Sequence, residues 1–121
     1  MIMTAAQVEQ RANRDVVDWA HERLGLAYGD IGRATSAHER TVLRWKSGQT
    51  LASPRHRERI EMLRELRHLM DAVFADPEQG RAWLYTSVPA LRGRTPISYL
   101  RAGRVRQVAQ VLATFHSGAF V

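Results

Sequence analysis

Apolar positions along the chain recur at helical spacing, and no stretch alternates with period two for long. Thr4 to Gln7 spells a T-x-x-Q capping box. Behind it Val8, Ala12, Val16, Trp19 and Ala20 share one face as far as Leu24, and Gly25 stops that helix. A short helix over Tyr28–Thr35 turns Ile31 and Ala34 inward. A second, over Glu39–Ser47, turns Val42 and Trp45 inward and ends at Gly48, and Gln49–Pro54 reads as a loop. A long helix from about Arg55 to Phe74 carries Ile60, Leu63, Leu66, Met70 and Val73 on one face. Met62, Leu69 and Phe74 widen that face, while Glu61, Glu65, Arg64 and His68 sit at helical spacing on the polar side.

Asp76-Pro77 is a restart signal, an N-cap followed by proline at the first helical position. The short helix it opens carries Ala82, Trp83 and Leu84. Pro89 to Arg94 reads as a loop, and Thr95-Pro96 repeats the device to start a helix through Leu100, closed by Gly103. A last helix, Val105 to His116, lines up Val105, Val108, Val111, Leu112 and Phe115 before Gly118 and an apolar tail, Ala119-Phe120-Val121. The pattern predicts an all-α chain. It divides into residues 1–75, including the long helix as a spine, and residues 76–121.

Composition narrows the function classes. At 121 residues the chain has room for one domain, or two very small modules sharing a core. It has no Cys, which removes disulfides and thiolate chemistry. No apolar run approaches the roughly 18–20 residues of a membrane span, and Met1 to Gln7 lacks the pattern of a secretory signal. A cytoplasmic location is the expectation. The net charge is +6, with 17 Arg and a single Lys, Lys46, among the 18 cations. The excess is unevenly spread. Residues 31–57 hold six cations against one acid, for +5, and residues 77–121 hold six Arg against Glu78, for another +5. Residues 1–30 and 58–76 each hold three cations against five acids, for −2.

The first basic block coincides with the spacing of a helix-turn-helix. Such a motif needs a small residue where two helices cross and apolar residues at fixed offsets. With Val42 and Trp45 as the buried pair of the second helix, Gly32 falls at the crossing and Ala37 in the turn. Thr35 and Ser36 depart from the pattern, since an apolar residue and a glycine are usual there. The outward side then presents His38, Glu39, Arg40, Thr41, Leu43, Arg44 and Ser47. Arg40 and Arg44, four apart, are neighbours on one face, and an arginine fork can address guanine edges or phosphates. Lys46, Arg55 and Arg57 are candidates for further phosphate contacts. The DNA-binding set is therefore His38, Arg40, Thr41, Arg44, Lys46 and Ser47. Glu39 opposes phosphate, and Leu43 needs a thymine methyl or stays exposed.

The second block carries a denser string: A-W-L (82–84), P-A-L-R-G-R-T-P (89–96), Y-L-R-A-G-R-V (99–105) and V-x-x-V-L-x-x-F-x-S-G (108–118). Taken singly, Trp83 reads as core, Gly93 and Gly103 as turn or cap residues, and Pro96 as helix N1. In combination, and after A-H-E-R-T-V-L-R-W-K-S-G with its Xre-like spacing, the string resembles the Xre/MbcA/ParS family of bacterial antitoxins over roughly residues 22–121. The L-G-L-x-Y at 24–28 and the final G-x-F-V at 118–121 look like the MbcA branch. Residues 1–20 lie largely outside the resemblance.

The resemblance implies a type II antitoxin that neutralises a RES-domain, NAD-degrading toxin from a neighbouring gene by covering its active site. It also implies operator binding as a dimer, and a larger hetero-oligomer with the toxin. The matching toxin-binding positions are Trp83, Leu84, Leu91, Gly93, Pro96, Leu100, Gly103, Val108, Leu112 and the tail Gly118, Ala119, Phe120 and Val121. Exposed apolar groups beside a basic rim of Arg101, Arg104 and Arg106 suit a protein interface.

Nothing in the chain reads as an enzyme. The five histidines form no H-x-x-x-H or H-E-x-x-H pair, and no G-x-S-x-G or phosphate loop occurs. No metal, cofactor or catalytic residue is expected. Two other readings stay open: a helix-turn-helix regulator whose C-terminal helices only dimerise, and an antitoxin without DNA binding.

Overall fold

A computed structural model describes residues 2–118 of the chain. It is all-α. Helices α1 (Ala5–Glu22), α2 (Tyr28–Thr35), α3 (Glu39–Ser47) and α4 (Pro54–Val73) are followed by α5 (Pro77–Leu84), a 3-10 turn (Pro89–Leu91), α6 (Pro96–Arg101) and α7 (Val105–His116). No helix among the described residues is long and apolar enough to cross a membrane.

Helix starts follow the local chemistry. Thr4 accepts from the Gln7 backbone N–H at 3.1 Å and Gln7 returns the bond to the Thr4 N–H at 2.8 Å. Such a cap stabilises a helix by about 1 kcal/mol. Asp76 and Thr95 cap α5 and α6 by accepting from the backbone N–H groups of Gln79 and Ser98, without the return bond, each ahead of a proline. Ser53 also precedes a proline, but its hydroxyl pairs with His56 Nδ1 at 2.8 Å and caps no backbone N–H; α4 opens at Pro54, one residue earlier than the pattern of the sequence predicts.

The core is one contiguous cluster. It runs from Val16, Val17 and Ala20 through Val42, Trp45, Ile60, Leu63 and Leu66 to Leu84, Leu91, Leu100, Val108 and Leu112. Helix α4 lies against α1 on one side and packs most extensively on α7, while α3 packs on α1. Val8, expected to point inward, is 54% exposed, because the buried face of α1 begins only at Asn13. Asn13 is itself buried and its Oδ1 accepts from Arg64 at 2.7 Å, tying α1 to α4. Arg64 also pairs with Glu61 one turn back. Phe115, expected on the inward side of α7, is 40% exposed at the end of that helix.

Candidate functional site

Helices α2 and α3 are joined by the short turn Ser36, Ala37, His38. Gly32 sits where they meet: a Cβ there would stand 2.6 Å from the Ala37 carbonyl oxygen. The Ala37 N–H instead bonds the Gly32 carbonyl at 2.9 Å. The two departures from the usual pattern acquire local explanations. Ser36 adopts the left-handed region with φ 58°, the conformation that a glycine would take more easily. Its carbonyl accepts from His56 Nε2 of α4 at 3.3 Å, and the His56 ring stands edge-on to Trp45. Thr35 is fully buried, and its hydroxyl satisfies itself by donating to the Ile31 carbonyl at 2.8 Å.

On α3, Val42 and Trp45 are buried, which leaves His38, Glu39, Arg40, Leu43, Arg44 and Ser47 exposed. Arg40 and Arg44 have no ion-pair partner among the described residues. Thr41 and Lys46 lie half-buried on the flanks. The Lys46 ammonium sits 5.3 Å from the centroid of the Tyr28 ring. Hydrogen bonding to Tyr28, reinforced by the carboxylates of Asp18 and Glu22, raises its pKa above the ordinary lysine value. Lys46 thus stays charged, with the Tyr28 ring beside it. Arg57 is likewise occupied, 2.9 Å from Glu9, while Arg55 is exposed.

The candidate positions in the C-terminal part separate into two groups. Leu84, Leu91, Pro96, Leu100 and Val108 are buried. Their side chains fill the chain's own core, so they can shape a partner surface only from beneath. Trp83 is half-buried, its ring 5.6 Å from that of Phe74. Gly93 takes φ 75° in the turn that lets Val88 N–H bond the Arg94 carbonyl at 3.0 Å. Gly103 takes φ 80° and lies against α2, where a Cβ would stand 2.8 Å from the Arg33 carbonyl oxygen. Arg101, Arg104 and Gly118 are exposed, and Ala119, Phe120 and Val121 lie outside the described residues.

Three relationships fall outside the expectations from the sequence. Asp30 accepts from the Ala27 N–H at 2.9 Å and also pairs with Arg33. Its position three residues into the helix is a signal of that role. Arg33 in turn donates from Nε to the Arg101 carbonyl at 2.8 Å, joining α2 to α6 across 68 positions that no local pattern connects. Arg92, in the left-handed region with φ 59°, stands beside Gly93 in a string whose letters alone do not single it out.

Residues 70–118 match the model of the antitoxin Xre/MbcA/ParS C-terminal toxin-binding domain. The mycobacterial cidal antitoxin MbcA of Mycobacterium tuberculosis and that of Mycobacterium bovis are each 31% identical over 107 residues, 87% of this chain and 92% of theirs. A chain in the crystal structure of the M. tuberculosis MbcT–MbcA toxin–antitoxin complex is similar with a TM-score of 0.59 and 28% identity, covering 89% of this chain and 96% of that one.

Proposed function

The chain belongs to the Xre/MbcA/ParS family of antitoxins, and on that premise we propose that it neutralises a RES-domain, NAD-degrading toxin by covering its active site. The observation that carries this reading is the match of residues 70–118 to a toxin-binding domain, within a likeness to MbcA that spans nearly the whole relative. The C-terminal part, residues 76–121, makes the contact. Trp83, Arg101, Arg104 and the stretch from Gly118 to Val121 meet the toxin, and the buried Leu84, Leu91, Leu100 and Val108 hold that surface in shape. The chain performs no catalysis of its own.

Helices α2 and α3 act as a helix-turn-helix on operator DNA, in a dimer of the antitoxin. The close approach at Gly32 and the exposed Arg40 and Arg44, which have no ion-pair partner among the described residues, support this reading. The two arginines, His38 and Ser47 make the central contacts, and Thr41 and Lys46 add contacts from the flanks. A second reading, an antitoxin without DNA binding, draws on Leu43, which leaves an apolar side chain 41% exposed amid that face.

Co-expression with the neighbouring gene tests the main reading. Cells carrying both should keep their NAD and the two proteins should co-purify, whereas NAD loss despite a folded antitoxin refutes it.

A further inference from the structure

Resting on the reading of residues 76–121 as the toxin-binding part, we propose that the groove between the Pro89–Leu91 turn and α7 receives an acidic side chain of the toxin. The groove has a volume of about 620 Å³. Ala90 and Val111 give it apolar walls, Gln107 and Gln110 bring neutral amides, and Arg92 and Arg104 bring guanidiniums. No carboxylate lines it among the described residues. Both arginines are exposed, and neither has an ion-pair partner among the described residues. The groove therefore offers two unneutralised forks, the geometry suited to a carboxylate.

The backbone sets where Arg92 leaves the chain, and a ring lies beside Arg104. Arg92 occupies the left-handed region with φ 59° and ψ 32°, directly before Gly93 at φ 75°. A glycine would adopt that conformation without steric cost, so an arginine there keeps a charged side chain at the groove at the expense of strain. The Arg104 guanidinium lies 5.8 Å from the centroid of the Tyr99 ring, and that stacking limits its directions. Every residue lining the groove falls between positions 90 and 114, inside the matched stretch 70–118. That position, within the stretch that matches a toxin-binding domain and away from α3, favours a toxin carboxylate over a nucleic-acid phosphate.

The test uses the full chain and the RES-type toxin encoded by the neighbouring gene. Binding is measured for the wild type, the pair Arg92→Glu with Arg104→Glu, and the neutral pair Arg92→Gln with Arg104→Gln, at about 50 and about 500 mM salt. Charge reversal should weaken binding by about tenfold or more, the neutral pair by less, and the gap should narrow at high salt. Circular dichroism checks folding; if the double reversal is unfolded, Arg92→Glu alone is judged by the same threshold. A folded reversal variant that binds toxin as the wild type does overturns the groove and leaves the toxin reading standing. A wild-type chain that does not bind the toxin removes both. Loss of binding to a DNA duplex with toxin binding intact also overturns the proposal, by assigning the arginines to DNA.

Discussion

Gly103 and Arg33 touch through their backbones: a Cβ at position 103 would stand 2.8 Å from the Arg33 carbonyl oxygen and 3.0 Å from its carbon. The Arg33 side chain closes the same joint from the other direction, donating to the Arg101 carbonyl at 2.8 Å. The turn between α6 and α7 is thereby seated on the C-terminal end of α2. Gly103→Ala would combine this collision with backbone in a left-handed conformation. It should cost about 2–3 kcal/mol. Gly29→Ala is the matched control, because a Cβ there meets nothing within 4 Å in a helix, and it should gain about 0.5–1 kcal/mol. Urea midpoints of the two variants check the pair, and a Gly103→Ala midpoint equal to the wild type refutes the joint.

Two tryptophans should behave differently. Trp45 is 1% exposed beneath α3, and Trp45→Ala should cost about 3–5 kcal/mol and disorder the α2–α3 pair. Trp83 is half-buried and leans on Phe74. Trp83→Ala should cost only about 1–2 kcal/mol and leave a folded chain that binds the toxin poorly. Thermal melts beside toxin co-purification separate the two. Equal destabilisation by both substitutions would assign Trp83 to the core alone.

Arg40→Ala and Arg44→Ala should leave the melting temperature unchanged, since both side chains are exposed and have no ion-pair partner among the described residues. Operator binding should weaken by roughly 1–3 kcal/mol for each arginine whose bidentate pairing with a base is removed. Lys46→Ala should affect DNA less than either. Gel shifts at one fixed salt concentration decide this, and unchanged shifts for the arginine pair would favour the antitoxin without DNA binding.

Deleting Ala119, Phe120 and Val121 should weaken neutralisation of the toxin. Cellular NAD after toxin induction is the readout. A shortened chain that protects NAD as well as the full one would exclude a plugging role for the tail.

The helices are legible in the sequence because their signals are local. Thr4 with Gln7, Asp76 with Pro77 and Thr95 with Pro96 each set a start within four residues, and the observed caps follow them. Ser53 before Pro54 is the same signal, hidden at the end of a stretch that reads as loop. Inwardness is less legible. Val8 and Phe115 sit on the apolar stripes of their helices, yet near the helix ends they are 54% and 40% exposed. The position of Gly32 against Ala37 is readable from spacing, since two short helices and a tight turn leave little freedom.

Sequence alone determined the elements, the absence of cysteine chemistry, the two basic blocks and the resemblance to an antitoxin family. All of these depend on residue type and on separations of a few positions. Only tertiary structure decided which of those residues can reach a partner. Leu84, Leu91, Leu100 and Val108 are equally apolar and equally part of the motif, yet they are buried in the chain's own core. Lys46 carries the same charge as its arginine neighbours, yet it lies half-buried on the flank beside the Tyr28 ring. Arg33 meets Arg101, and the groove brings Arg92 near Arg104, through packing between distant segments. Burial and pairing depend on what lies across the fold, and no local pattern encodes that.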